Sequence, residues 1–216
     1  MKSAMRSMVL VASIAVLTAL AAVPPASAGG QASVVLDPVG DLATPAGEGQ
    51  TGQSYQDITR TEITKRGGTF HFDMDVAAPI PERPPLDAES GRQIIYWVWG
   101  MSMTPDSPAG YPRPPGMSGP AEAEVILVWD GERFSMIFID RRPLLTGGDA
   151  MVFPLPFTIR GSHIATEADA DLLGNPSAFI WLSLTAARSA EFGNDARFQF
   201  DIAPDAGLAG PATWPG

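Results

Sequence analysis

The sequence predicts an all-β fold, a two-sheet antiparallel β-sandwich of jelly-roll or immunoglobulin-like kind with one short helix, and three observations carry that prediction. Glycine and proline number 22 and 21, about a fifth of the chain against a usual ~12%, a density of turn formers that favours short strands over long helices. Thr69–Val76 alternates strictly, with Phe70, Phe72, Met74 and Val76 on one face and His71, Asp73 and Asp75 on the other, the period of a half-buried strand. Asp130-Gly131-Glu132 separates two apolar runs, Glu122–Trp129 and Arg133–Asp140, and Asp-Gly between such runs is a hairpin signal. A closed barrel is the alternative arrangement of the same strands.

The remaining elements follow in chain order. Ser33–Leu36 is a short apolar strand that runs into the turn cluster Asp37-Pro38-Val39-Gly40-Asp41. Residues 42–53 are rich in Gly, Thr and Ala and form a loop. Tyr55–Lys65 mixes β-branched and polar residues, as a half-exposed strand does, and Arg66-Gly67-Gly68 turns it into Thr69–Val76. Ala77–Arg92 is polar and Pro-rich, hence loop. Gln93–Met103 is a continuous apolar run, expected as a strand covered on both faces. Thr104–Pro120 holds six prolines and forms a long irregular loop. Pro154 and Pro156 interrupt Val152–Arg160, which makes it an edge strand or a bent segment. Ala165–Leu173, closed by Gly174-Asn175-Pro176, is the one helical stretch. Phe179–Thr185 and Phe198–Ile202 are the last strands, and the Gly/Pro/Ala-rich segment 204–216 is expected as a flexible tail.

The N-terminus carries an export signal. Lys2 and Arg6 precede an apolar run from Met8 to Val23, and Ala26-Ser27-Ala28 places small residues at the −3 and −1 positions, the n-region, h-region and cleavage site of a secretory signal peptide. The run is short for a spanning helix, which needs ~20 apolar residues, and no later run approaches that length. Residues 1–28 are therefore expected to be removed, with residues 29–203 forming a secreted or extracellular domain. No Cys follows the apolar run, which excludes a lipid-anchored lipoprotein.

Composition bounds the function. Cleavage removes two bases and no acid, moving the net charge from −10 to −12 over 188 of the 216 residues. Phosphate recognition needs Lys and Arg, so the acidic balance argues against nucleic acid and an anionic membrane as partners. The acidity suits solubility, mostly as a solvated surface, and also cation binding. The absence of Cys excludes thiol catalysis, zinc–thiolate sites and iron–sulfur clusters, and an exported domain without disulfides draws its stability from its core. A monomer is expected.

The strongest chemical candidate is Asp37-Pro38-Val39-Gly40-Asp41. Two carboxylates four residues apart, joined through Pro and Gly, can fold back on one point. A hard cation such as Ca²⁺ takes six to eight oxygens from carboxylates, carbonyls and water. Asp57, just before an apolar strand, could supply a third carboxylate. The alternative is an Asx-turn in which Asp37 caps its own backbone. An EF-hand loop, with ligands at regular alternate positions and a terminal Glu, is not present.

Trp97 and Trp99, spaced i, i+2 on one strand face, are the candidate ligand-binding pair, a stacking platform for a sugar ring. Their other role is to fill the core, where aromatics bury large apolar areas, and a sandwich of this size favours it. The two histidines, His71 and His163, with Met74, Met101 and Met103, are the possible axial ligands of a haem; the competing role is surface histidine. Asp73 and Asp75 share a strand face and could act as the carboxylate pair of a hydrolase, or simply meet water. Gly161-Ser162-His163 is no nucleophile elbow.

The D-P-V-G-D turn after the first strand, the stretch Y-Q-D-I-T-R-T-E-I, its partner T-F-H-F-D-M-D-V, and the later F-T-I-R-G-S-H-I and L-L-G-N-P-S-A-F-I-W together resemble secreted DOMON-like or CBM9-like β-sandwich domains. The resemblance implies a sandwich. Some such domains bind sugars, some bind haem, and several hold a structural Ca²⁺; carried onto this sequence, Asp37 and Asp41 would be the ion ligands. The expectation is thus a secreted, non-catalytic binding module, Ca²⁺-stabilised, with carbohydrate or a cell-envelope glycan as the leading ligand. A carboxylate hydrolase and a haem-binding electron-transfer domain are the alternatives.

Overall fold

Strict alternation gives one strand a dry face and a wet face, and the fold is built on that division. In the computed structural model, which describes residues 30–42, 52–85, 93–103, 121–189, 197–204 and 211–215, Phe70, Phe72 and Met74 are wholly buried while His71, Asp73 and Asp75 remain partly exposed. Strands are numbered in chain order. The first sheet contains β1 (Gln31–Leu36), β2 (Ile58–Arg66), β3 (Thr69–Val76), β8 (Phe157–Arg160) and β9 (His163–Asp169), in the order β1-β2-β3-β9-β8. The second contains β4 (Gln93–Ser102), β5 (Ala123–Trp129), β6 (Phe134–Asp140), β7 (Met151–Pro154), β10 (Phe179–Ser189), β11 (Arg197–Ala203) and β12 (Ala212–Trp214). Its order is β11-β10-β4-β5-β6-β7, with β12 pairing to β10 beside β11. Every pairing in both sheets is antiparallel. The fold is all-β, two sheets face to face, as the sequence predicts.

The turn chemistry places the hairpins. Asp130 Oδ1 accepts the amides of Glu132 (2.8 Å) and Arg133 (2.9 Å), and Gly131 takes φ 93°, closing β5 on β6. Gly67, at φ 61°, does the same between β2 and β3. Pro154 and Pro156 mark where the chain leaves one sheet for the other: β7 is an edge strand of the second sheet, β8 an edge strand of the first, and proline is tolerated at such edges because no ladder bond is lost there.

The core lies between the sheets. Phe70, Phe72, Met74, Ile63 and Ile164 from the first face Trp97, Trp99, Val125, Leu127, Phe138 and Trp181 from the second. The indole N–H groups of the second sheet donate across the interface: Trp97 Nε1 to the Tyr55 carbonyl (3.0 Å), Trp99 Nε1 to Thr61 Oγ1 (2.9 Å) and Trp181 Nε1 to Ser33 Oγ (3.1 Å). The hydroxyls of Thr61 and Ser183 also meet, at 2.9 Å. Satisfied polar links in a dry core have few alternative partners, so they fix how one sheet registers on the other.

Three expectations are corrected. Ala165–Leu173 is not a helix: Ala165–Asp169 belongs to β9, paired with β3 on one side and β8 on the other. Ile164, Thr166 and Ala168 point inward, so pairing and burial override the helical propensity of an Ala-rich run. Residues 170–174 form hydrogen-bonded turns. Residues 204–216 are not uniformly a flexible tail: β12 pairs Phe179–Trp181 with Ala212–Trp214, and Trp214, 1% exposed, stacks on Phe179 at 5.1 Å and meets Phe70 edge-on at 4.9 Å. An indole in a terminal segment gains enough by burial to pin it. Ser54–Gln56 forms a 3₁₀ turn, and β2 begins only at Ile58. The signal segment 1–28 and the Pro-rich loop 104–120 lie outside the described residues.

Candidate functional site

One end of the sandwich gathers acids from both sheets. Strand β1 delivers Asp37, whose amide donates to the Thr59 carbonyl at 3.1 Å, so the turn after β1 is still tied to β2 when it curls. Gly40 takes φ 90° in that turn, a conformation that costs a side-chain-bearing residue but not glycine. The curl brings Asp41 back towards Asp37. From the second sheet, β11 contributes Asp201, and one carboxylate oxygen each from Asp37, Asp41 and Asp201 lie within 4.8 Å of one another. Asp201 is 3% exposed, Asp37 is 9% exposed and Asp41 is open to solvent. The cluster thus has a buried floor and a wet rim.

Asp57 lies against this cluster. Its Oδ2 accepts the Gly40 amide at 2.9 Å, which locks the D-P-V-G-D turn onto the start of β2. Its Oδ1 is buried and has no hydrogen-bond partner, in a residue only 3% exposed. A buried acceptor in that condition carries its desolvation penalty uncompensated, and a cation is one group that would relieve it.

Asp201 is held by backbone. The Ile58 amide donates to its Oδ2 at 2.5 Å and the Ile202 amide to its Oδ1 at 2.8 Å. Burial nevertheless pushes its carboxyl up to about 7; the charges of Asp41 and Asp57 add to the rise, and the two amides oppose it. Carboxylates crowded in a low-dielectric site cannot all ionise without a counter-charge. A divalent cation with oxygen preference supplies that charge, and the donor set, all carboxylate, fits Ca²⁺ better than a soft metal.

Of the three metal ligands expected from sequence, Asp37 and Asp41 are brought together and Asp57 sits behind them, bonded to their turn. Asp201 was not foreseen. Its only signal is a carboxylate in the middle of an apolar strand, F-Q-F-D-I-A, and nothing local connects it with a turn 160 residues earlier.

The candidate ligand pair Trp97 and Trp99 is corrected: both are 0% exposed, with their indole N–H groups spent on Tyr55 and Thr61. They form no surface platform. Trp129, Trp181 and Trp214 are also buried, so all five tryptophans serve the core. Packing explains it: sheets ~10 Å apart need large side chains between them.

On the outer face of the first sheet, His163 sits between two carboxylates, with Nδ1 2.7 Å from Asp75 and Nε2 3.3 Å from Asp73. Burial raises the Asp73 carboxyl, against the opposing pull of His163. His71 faces Glu167 at 3.8 Å. Met74 and Met101 are wholly buried in the core, on the other side of β3 from His71, so among the described residues no His/Met pair shares a face. Asp73 and Asp75 both meet the His163 imidazole, and Asp75 also lies 3.9 Å from the Arg60 guanidinium.

No protein-family model matches this chain, and neither the curated proteins nor the solved structures searched contain a significant match.

Proposed function

We propose that this protein is a secreted, non-catalytic β-sandwich binding module whose open end holds a divalent cation, Ca²⁺ by the chemistry of its donors. Asp37, Asp41 and Asp201 ligate the ion, and Asp57 orients the turn and offers its unbonded oxygen. The observation that carries the reading is the pairing of a three-carboxylate cluster with a buried carboxylate oxygen that has no hydrogen-bond partner. The cation clamps the two sheets, since Asp37 follows β1 in one and Asp201 lies in β11 of the other. In an exported chain without Cys, such an ion does the cross-linking that disulfides do elsewhere. The resemblance to DOMON-like and CBM9-like domains agrees with this reading. Carbohydrate loses its leading residues, because Trp97 and Trp99 are interior.

Calorimetric titration of the EDTA-stripped protein with Ca²⁺ tests it. The expected result is one ion per chain in wild type and at least tenfold weaker binding in Asp201→Asn, a loss of about 1.4 kcal/mol or more. Absence of saturable binding to the wild type would refute the cation site.

A further inference from the structure

Two open sheets have edges, and an edge strand presents unpaired backbone N–H and C=O groups to any strand that fits them. Among the described strands the edges are β7 and β11 with β12 in one sheet, and β1 and β8 in the other. All but β1 carry protection of a recognised kind. β7 has four residues and ends at Pro154; β8 has four and follows Pro156. β11 holds the buried carboxylate of Asp201 and breaks register against β10, and β12 is three residues between Pro211 and Pro215. β1 is six residues with no proline and no charge, and it runs beside β2 without a register break.

The free side of β1 is set for pairing. The Asp37 amide donates to the Thr59 carbonyl of β2. By the alternation of an antiparallel ladder, the backbones of Ser33 and Val35 then also bond β2, and the N–H and C=O groups of Ala32, Val34 and Leu36 point away from it. Among the described residues no strand and no backbone hydrogen bond meets those groups. The side chains of the same three residues lie on the outer face of the sheet, where Val34 is 47% exposed and Leu36 75%. Their neighbours on β2 are Glu62, opposite Val34, and Arg60, opposite Leu36.

We propose that β1 pairs with β1 of a second copy, antiparallel about a two-fold axis at Val34, joining the five-stranded sheets of two copies into one continuous sheet. The segment matches itself in that register. Val34 faces Val34 of the second copy, and Leu36 faces Ala32, large against small. Each facing pair exchanges two backbone hydrogen bonds, roughly six in all, and the exposed valine and leucine are covered in the same step. Two chains of net charge −10 repel each other, and an edge without charge is where they repel least. The Glu62 side chains of the two copies lie three strand spacings apart, about 14 Å, beyond the ~8 Å over which charge is screened. Two-fold closure uses up the edge, so assembly stops at two copies, in place of the monomer expected from the sequence. One pair of short strands is a small contact, and the dimer is accordingly weak.

Sedimentation equilibrium tests this on the chain from Gly29 onward, because every described strand lies after that residue. EDTA is present throughout, so that Ca²⁺ bridging between acidic surfaces plays no part. The expected result is a monomer–dimer equilibrium between about 1 µM and about 1 mM chain, weakened about tenfold or more by Val34→Lys. That substitution sets like charges opposite each other at the axis, while within one copy it sits beside Glu62, so the melting temperature of a dilute sample should hold. The chain has no Cys, so Val34→Cys reads the register directly: facing Cα atoms ~5.5 Å apart are within reach of a disulfide. Diamide should cross-link Val34→Cys into a dimer about tenfold faster or more than Val152→Cys, which lies on the β7 edge at 58% exposure. A monomer at every concentration would overturn the proposal, and so would an assembly larger than two copies. A dimer that folded Val34→Lys leaves intact, or equal cross-linking of the two cysteine variants, would overturn it as well. If Val34→Lys does not fold, the cross-linking rates decide alone.

Discussion

Asp201 Oδ2 accepts the Ile58 amide at 2.5 Å, so a carboxylate from a strand of one sheet is bonded to the first residue of β2 in the other. That contact makes Asp201 a structural group before any ion arrives. It also places a buried charge where two further carboxylates, Asp41 and Asp57, repel it.

The first prediction concerns pH in the absence of cation. The folded-state value of Asp201 is about 7, raised first by burial, against about 3.9 for an unfolded aspartate. The folded state therefore holds a proton that the unfolded chain has released. Its contribution to stability is fully present below the unfolded value and is lost as pH rises through about 7, on the order of 4 kcal/mol in total. Denaturant unfolding in EDTA should show wild type losing stability relative to Asp201→Asn between about pH 4 and pH 7. A pH-independent difference between the two proteins would contradict the assignment.

Gly40 is the second test. Its φ of 90° lies where L side chains are strained, and a Cβ there would meet no atom within 4 Å. Gly40→Ala should therefore cost about 1–2 kcal/mol through the backbone alone, and weaken Ca²⁺ binding because the Gly40 amide orients Asp57. Thermal unfolding and cation titration of this one variant read both effects. Unchanged affinity would separate the turn from the ion.

Trp99→Phe should destabilise by about 1–3 kcal/mol. The substitution keeps the ring but removes the N–H that Thr61 Oγ1 accepts, leaving a buried hydroxyl pair short of a donor. Because Trp99 is wholly buried, the same variant should bind Ca²⁺ as wild type does. A selective binding defect at full stability would reinstate Trp99 as a ligand contact.

Arg142 offers a fourth test, far from the site. Its guanidinium donates to the Leu173 carbonyl at 2.6 Å and the Leu172 carbonyl at 2.5 Å, and it grips the buried Asp140. Burial raises the Asp140 carboxyl, but the hydrogen bonds from Arg142 outweigh this and hold it below the usual range. Asp140 thus stabilises the fold at neutral pH, and that stabilisation is lost as pH falls through its depressed value. Arg142→Ala should cost about 2–3 kcal/mol, discounted for the partial exposure of the arginine, and should flatten the acid limb of the stability profile. An unaltered acid limb would disprove the link.

The strand pattern was legible because burial imposes period two on the sequence: Thr69–Val76 and the two runs around Asp130-Gly131 read directly as they fold. Ala165–Leu173 misled because its inward positions, Thr166 and Ala168, are small or polar, and only the pairing with β3 and β8 makes them strand. Trp214 misled because the partners that bury it, Phe70 and Phe179, are distant in sequence. The site divides the same way. Asp37 and Asp41 declare themselves through a local turn, whereas Asp201 enters through sheet packing, which no short window of sequence records.

The most direct test of the cation clamp is calorimetric unfolding in EDTA and then in millimolar Ca²⁺, on wild type and on Asp37→Ala. Binding only to the folded state raises the melting temperature. The account predicts a Ca²⁺-dependent rise in wild type that disappears in Asp37→Ala. Identical melting of wild type with and without Ca²⁺ would contradict it, and would leave Asp37, Asp41 and Asp201 as a purely structural cluster.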